Sequence, residues 1–431
     1  MCNTAHAEAP RTTALVPIKV RAVALATVAV LACGLLAGRA RGQVVVWSKG
    51  AWSWFGDPRA VHVGGALGKT FVGWIDWNGN VTIGAYDPRF GLLTSYVVGH
   101  LFHDDHSTPA ILVEPDQRLT VFWSGHNGSE MEYRTTLAPD DITAWTPVEQ
   151  IHQGIRGSNG FTYPNPALLP AEADKVYLFW RGADWSADFA TRAPDGDWGP
   201  ARELIRSPGE RPYVKVADNG ADTIALAFTN GHPRNVLTSV YYIAYRHGSL
   251  WRADGGWITR LDAGPIAPQQ GDLVYDAKAT GVPAWVWDVA FDRRGRPVIV
   301  YATFPTHAKH VYWYATFTGR AWVSHRMTDA GGSISPGTIE YEYSGGIAID
   351  HSNPSIVYLS KQVPGGWEIE RWSTTDGGST WHRQTVVPAD GTENVRPVVP
   401  RGSDTGSIGL LWLRGTYHTY TSYRTWIAFS K

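Results

Sequence analysis

The chain has 431 residues, 12% of them aromatic, with 21 Trp, 46 Gly and 27 Pro. That composition excludes a helical protein and suits many short strands joined by turns. Five basic residues and one acid lie in the first 42 positions, so the remainder carries 33 basic and 38 acidic residues, a formal charge of −5. This excludes a general affinity for polyanions and gives no basic stripe for nucleic acid, so an anionic ligand would need a local cluster of Arg and His.

Arg11, Lys19 and Arg21 precede an uncharged apolar run, Ala22 to Ala37, and Arg39 and Arg41 follow it. The pattern predicts a secretory signal over residues 1–42, too short an apolar run for a membrane span. A secreted protein, extracellular or periplasmic, with no membrane attachment after removal of the leader, is therefore expected. V-L-A-C ending at Cys33 is a poor lipid-attachment motif, because Leu31 is bulky and apolar residues continue beyond it. Both cysteines, Cys2 and Cys33, fall in the leader, which leaves the mature chain without disulfides or thiolate ligands.

From Gln43 to Lys431 one all-β domain is expected. Seven segments share one grammar: an apolar strand, a turn with Gly or Asn, then an aromatic-rich strand. They begin near Thr70, Leu119, Lys175, Thr223, Pro297, Ser355 and Ser407. Intervals of 48 to 74 residues match the blades of a seven-bladed β-propeller. The first strand, Val44 to Trp47, is expected to complete the last blade, and Gly264 to Ala284 to form a loop over one face. Thr374 to Trp381, T-T-D-G-G-S-T-W, fits the Asp-box pattern of sialidase-like propellers. In such a turn the Asp376 carboxylate takes backbone N–H groups, Gly378 supplies positive φ and Trp381 packs between sheets. Degenerate boxes end at Trp198 and Trp257.

Five patches put polar and titratable residues where strands of this pattern should run apolar or turn. They are His103-Asp104-Asp105-His106, Ser124-Gly125-His126-Asn127, Phe161 to Pro166 with Tyr163 and Asn165, Phe179 to Gly182 with Arg181, and the pair Arg211-Pro212-Tyr213 and Asn230-Gly231-His232-Pro233. A carboxylate beside an imidazole fixes its tautomer and raises its basicity, as a general base requires. The same patch also reads as a turn capped by Asp, or as a cation site using His103, Asp105 and His106. The patches are expected on the face where the inner strands of the blades end. Asp288 reads as structural, and Arg414 to His418 repeats the Arg-Gly-aromatic theme.

The chain resembles the BNR-type propellers that include ulvan lyases and related secreted proteins acting at rhamnose–glucuronate linkages. The resemblance runs through W-F-G-D-P-R-A-V (54–61), H-D-D-H-S-T-P-A (103–110), Y-P-N-P (163–166), F-W-R-G (179–182), R-P-Y-V-K (211–215), F-T-N-G-H-P (228–233), W-V-W-D-V-A (285–290), G-G-I-A-I-D-H (345–351) and G-T-Y-H-T-Y-T (415–421). It implies a monomeric lyase that cleaves an acidic polysaccharide by β-elimination, with His106 and Tyr213 as the base/acid pair, His126 assisting and Arg181 clamping the uronate carboxylate. Tyr163, Asn165, Arg211, His232, Arg414 and Tyr417 would bind substrate. No cofactor is required by this reading; a structural zinc or calcium ion near His232 is the one metal the resemblance suggests. Ser107 departs from the family pattern, where Asn follows the His. Two other classes fit the same ring. A sialidase-like or α-L-rhamnosidase hydrolase would draw on Arg59 and Glu340-Tyr341-Glu342-Tyr343. A non-catalytic glycan-binding propeller would use Trp and Tyr platforms.

Overall fold

The seven apolar segments each become the second strand of a four-stranded or larger antiparallel sheet: Lys69–Ile75, Leu119–Ser124, Lys175–Arg181, Thr223–Thr229, Pro297–Thr306, Ile356–Val363 and Leu410–Thr419. Most read as nearly unbroken apolar runs because they are covered on both faces by the neighbouring blades; Ile356–Val363 is less covered and carries Lys361 and Gln362. The computed structural model describes residues 44–65, 68–151, 160–194, 196–403 and 407–430. The expected signal over 1–42 and the lipid-attachment question at Cys33 lie outside them.

Each second strand pairs with a preceding inner strand: Ala60–Val63, Ala110–Val113, Thr162–Leu169, Tyr213–Asp218, Ala284–Phe291, Ile347–Ile349 and Asn394–Val398, for blades 1 to 7 in that order. Successive inner strands touch, and a parallel bridge from Val61 to Arg401 joins blade 7 back to blade 1. The result is a seven-bladed β-propeller with a single four-residue α-helix, Ala277–Thr280, among the described residues. Val45–Lys49 pairs with Ser422–Ser430 as the outermost strand of blade 7, so the last sheet is zipped shut by the first strand of the domain.

The stretch 264–284 departs from expectation. Asp272–Tyr275 adds to the third strand of blade 4, Val240–Arg246, beside the short strand Ser249–Trp251, which itself pairs with Trp257–Arg260. The third strand is longer than Ser249–Trp251 can cover, and the returning chain satisfies its remaining backbone groups. Trp257 lies in that added hairpin and is 57% exposed, so it does not act as a box tryptophan. Trp198 does pack between blades, edge-on to Phe122 at 5.8 Å.

The full Asp-box behaves as its residues dictate. Asp376 accepts from Thr380 N at 2.9 Å and from the hydroxyls of Thr374 and Thr380. Gly378 has φ +101°, and a Cβ there would strike the Tyr314 ring of blade 5. Trp381 stands edge-on to the same ring at 5.0 Å. Replacing Asp376 by Ala should lower the melting temperature, since the turn loses the three hydrogen bonds its carboxylate accepts; an unchanged melting temperature would contradict this.

Residues 52–57 fill the middle of the ring, which periodicity alone does not reveal. Phe55 packs against Tyr163, Tyr213 and Trp285, and Trp54 stacks on Trp287 at 4.5 Å. Buried Lys215 of blade 4 donates to Trp54 O and to Asp57, which also binds Arg59. One segment thus ties blades 3, 4 and 5 to the axis and forms the floor on which two tyrosines rest.

Candidate active site

Inner and second strands are antiparallel, so the start of one and the end of the other meet on one face. Tyr163 and Tyr213 stand at the starts of inner strands, Arg181 ends a second strand, His126 follows one, and His106 precedes the inner strand of blade 2. The patches therefore gather where inner strands begin, the opposite end from that expected. A chain leaving the outer edge of one blade re-enters the ring at this face, and the loops that make the crossing carry the polar residues.

His106 sits in a single 3-10 turn, Asp105–Ser107, capped by Asp104, whose carboxylate accepts from His106 N at 2.9 Å. The same carboxylate takes Nδ1 of two imidazoles: His106 on Oδ1 at 2.8 Å and His126 on Oδ2 at 3.0 Å. The two rings stack 3.9 Å apart and 9° from parallel. Both Nε2 atoms point away from Asp104 and have no protein partner among the described residues. Tyr163 stacks on His106 at 5.0 Å and Tyr420 meets it edge-on at 4.7 Å.

The pair is electrically asymmetric. Burial opposes charge on His106, yet Asp104 and Asp105 beside it raise its pKa above 6.5. His126 is pushed down to about 4 by burial and by the neighbouring His106 cation. Asp104 is buried, which alone would raise it, but its two imidazoles hold it well below the usual carboxylate range. The shared carboxylate thus leaves His106 the more basic of the two imidazoles and His126 the one that stays neutral.

Asp105 faces inward. Its Oδ2 binds Arg396 Nη1 at 2.5 Å and the Tyr417 hydroxyl at 2.6 Å, and Arg396 also donates to that hydroxyl at 2.8 Å. Arg396 and Tyr163 share a device: each has a positive φ, +52° and +62°, at a register shift of its inner strand. A bulge re-aims a side chain that regular pleating would send elsewhere, at some cost in backbone strain.

Arg181 is 4% exposed. It donates to the Tyr213 hydroxyl at 3.2 Å, Asn127 Oδ1 at 3.1 Å and Thr162 Oγ1 at 3.3 Å, and lies over the rings of Tyr163, Trp185 and Tyr213. Its Nε is buried without a partner, and no carboxylate pairs with it among the described residues. A buried cation without a counter-charge is costly unless a ligand supplies one. Arg211 flanks the same Trp185 ring at 4.6 Å.

Other expected site residues lie elsewhere. Asn165 is buried, its amide donating to Phe55 O and Tyr163 O, so it holds the bulge rather than substrate. Tyr417 is fully buried in the Asp105 network and cannot line a groove. Arg414 is tied to Asp390 and Asn394 on blade 7. His232 is 3% exposed and packs on Trp285 at 4.5 Å, beneath Tyr213. His103 stacks on Tyr423 and Asp105 turns to Arg396, so the cation site proposed for them with His106 does not form.

Asp104, His106 and His126 are the group of three metal-type donors that converge among the described residues. They suit a shared proton better than an ion: parallel rings 3.9 Å apart run their in-plane lone pairs side by side, and these cannot meet on one zinc at about 2.0–2.1 Å. Beside His232, Glu340 is already engaged by Arg234 at 2.6 Å.

The site thus sets an imidazole pair and an arginine without a carboxylate partner at the inner-strand entry of a seven-bladed propeller. The chain belongs to the BNR repeat-containing family, whose pattern matches residues 69–330. Among solved structures it is similar to a polysaccharide lyase, PL25 ulvan lyase, bound to -[GlcA(1-4)Rha3S]-, with TM-score 0.68 and 15% identity over 89% of this chain and 95% of that one. Polysaccharide lyase Uly1 is similar at TM-score 0.53 and 12% identity, over 89% and 92%. No curated protein matches by sequence.

Proposed function

We propose that this protein is a secreted, monomeric polysaccharide lyase that cleaves a uronate-containing polysaccharide by β-elimination. The observation that carries the proposal is Arg181, a buried guanidinium with no carboxylate of its own, set beside two imidazoles whose proton affinities are driven apart. Arg181 takes the uronate carboxylate and makes the C5 hydrogen acidic. Neutral His126 removes that proton through Nε2. The electron pair forms the C4–C5 double bond, the C4–O bond breaks, and the His106 imidazolium protonates the departing oxygen. Separating the affinities of two titratable groups is how a site assigns base and acid. In a glucuronate the C5 hydrogen and the C4 oxygen lie on one face of the ring, which suits two Nε2 atoms side by side. Tyr213, bonded to Arg181, aligns the clamp and assists the proton transfers. A sulfated rhamnose–glucuronate polymer is the substrate that the ligand of the similar ulvan lyase suggests.

The hydrolase reading has less support, since Arg59 is taken by Asp57 and Glu340 by Arg234. Incubation with a panel of uronate polysaccharides tests the proposal: elimination leaves a conjugated uronate that absorbs in the ultraviolet, whereas hydrolysis gives new reducing ends without it. The latter result, or no cleavage, would reject the lyase.

The pH profile follows from the pair. Activity needs His126 neutral and His106 protonated, so kcat/KM should rise through about pH 4 and fall above 6.5, with limbs that belong to the coupled pair. A profile still climbing well above neutrality would reverse the assignment of base and acid.

A further inference from the structure

The opposite face of the ring carries a second groove, between blades 5 and 6, of about 820 Å³. Grooves between blades 2 and 3 and between blades 3 and 4 are smaller, about 380 and about 250 Å³. Its walls come from the hairpin after inner strand Ala284–Phe291, the corresponding hairpin of blade 6 and the Asp-box, all at the ends of inner strands and so remote from Arg181. Thr316, Ser355 and Thr375 line it, while Tyr314 and Phe317 beneath are nearly buried.

Charge sets this groove apart from the acidic chain around it. Both of its carboxylates are spent: Asp292 on the Arg296 guanidinium at 2.7 Å and 2.9 Å, and Asp376 inside its own box. Arg293 and Arg294 are exposed at the rim, and neither side chain has a partner among the described residues. His325 faces the same space. Threonine and serine lining with two unpaired guanidiniums at the rim is recognition chemistry for a sugar chain bearing carboxylate or sulfate groups.

We propose that this groove is a second binding site for anionic polysaccharide, which holds the polymer while the other face cuts it; the choice of ligand rests on the substrate class proposed above. The test is affinity electrophoresis of the mature protein through gels containing ulvan or uncharged dextran, with turnover of a short ulvan tetrasaccharide measured in parallel. Ulvan should retard the wild type and dextran should not. Arg293→Gln/Arg294→Gln should bind ulvan about tenfold more weakly at low salt, for two exposed charge pairs, and keep wild-type turnover of the tetrasaccharide. Arg181→Gln should keep most of its retardation while losing turnover. Equal retardation of wild type and the double variant overturns the proposal, as does no retardation of the wild type. If the retardation pattern holds but no unsaturated product ever forms, the lyase reading fails and the groove stands.

Discussion

Arg181→Ala should lower kcat/KM by about 10²–10³, with kcat reduced and KM raised, because the guanidinium meets the carboxylate in the ground state and faces greater charge as C5 loses its proton. Arg181→Lys should recover only part of this, since a point charge replaces a planar fork that also holds Asn127, Thr162 and Tyr213. His106→Ala makes the contrast: it removes the proton donor, so kcat should fall by about 10² or more with little change in KM. Steady-state kinetics on one polysaccharide separate the two. A folded His106→Ala protein that formed unsaturated product at nearly the wild-type rate would defeat the proposed mechanism.

Arg396→Ala should destabilise the fold by about 3–5 kcal/mol, because Asp105, 1% exposed, would lose its guanidinium and keep only His106 Nδ1 at 3.2 Å and the Tyr417 hydroxyl. The pH dependence carries the sign. The Asp105 pKa is lowered: burial opposes this, but Arg396 overcomes it, so the pair contributes stability above the unfolded carboxylate value of 3.8 and loses it as pH falls. The deficit of the variant should thus be largest near neutrality and shrink in acid. Replacing both partners, Asp105→Asn with Arg396→Met, should cost much less than removing Arg396 alone. Urea midpoints at two pH values decide the matter; a single variant that unfolds with the wild type would show that the network does not stabilise the fold.

The fold was legible because each blade contains one strand buried on both faces. That strand is apolar over most of its length in blades 1 to 5, and the runs from Thr70 to Ser407 mark it, although Ile356–Val363 and the end of Leu410–Thr419 turn polar. The inner strands are harder to read: Ile347–Ile349 has three residues, and others begin with polar groups that belong to the site. The added strand Asp272–Tyr275 lacked periodicity, since it exists only because blade 4 had unpaired backbone to cover.

Within the site, His106, His126, Tyr163, Arg181 and Tyr213 were marked by polar residues beside apolar strands, and they do converge. Asn165 and Tyr417 have the same local signature but face inward, and a sequence pattern cannot separate a hydroxyl aimed at a groove from one aimed at a buried Arg. Trp185 and Arg396 carried no local signal. The first stands between two guanidiniums contributed by successive blades, and the second reaches Asp105 from 291 positions away.

The sequence by itself determined the number of blades, the closing strand, the Asp-box and the chemical types available at the site, because each depends on contacts within one hairpin or one blade. Only the tertiary structure decided which imidazole is the more basic, that one carboxylate serves both, and that Arg181 has no carboxylate partner. Those properties depend on burial and on charges brought together across blades 2, 3, 4 and 7 by ring closure, and spacing along the chain does not encode them.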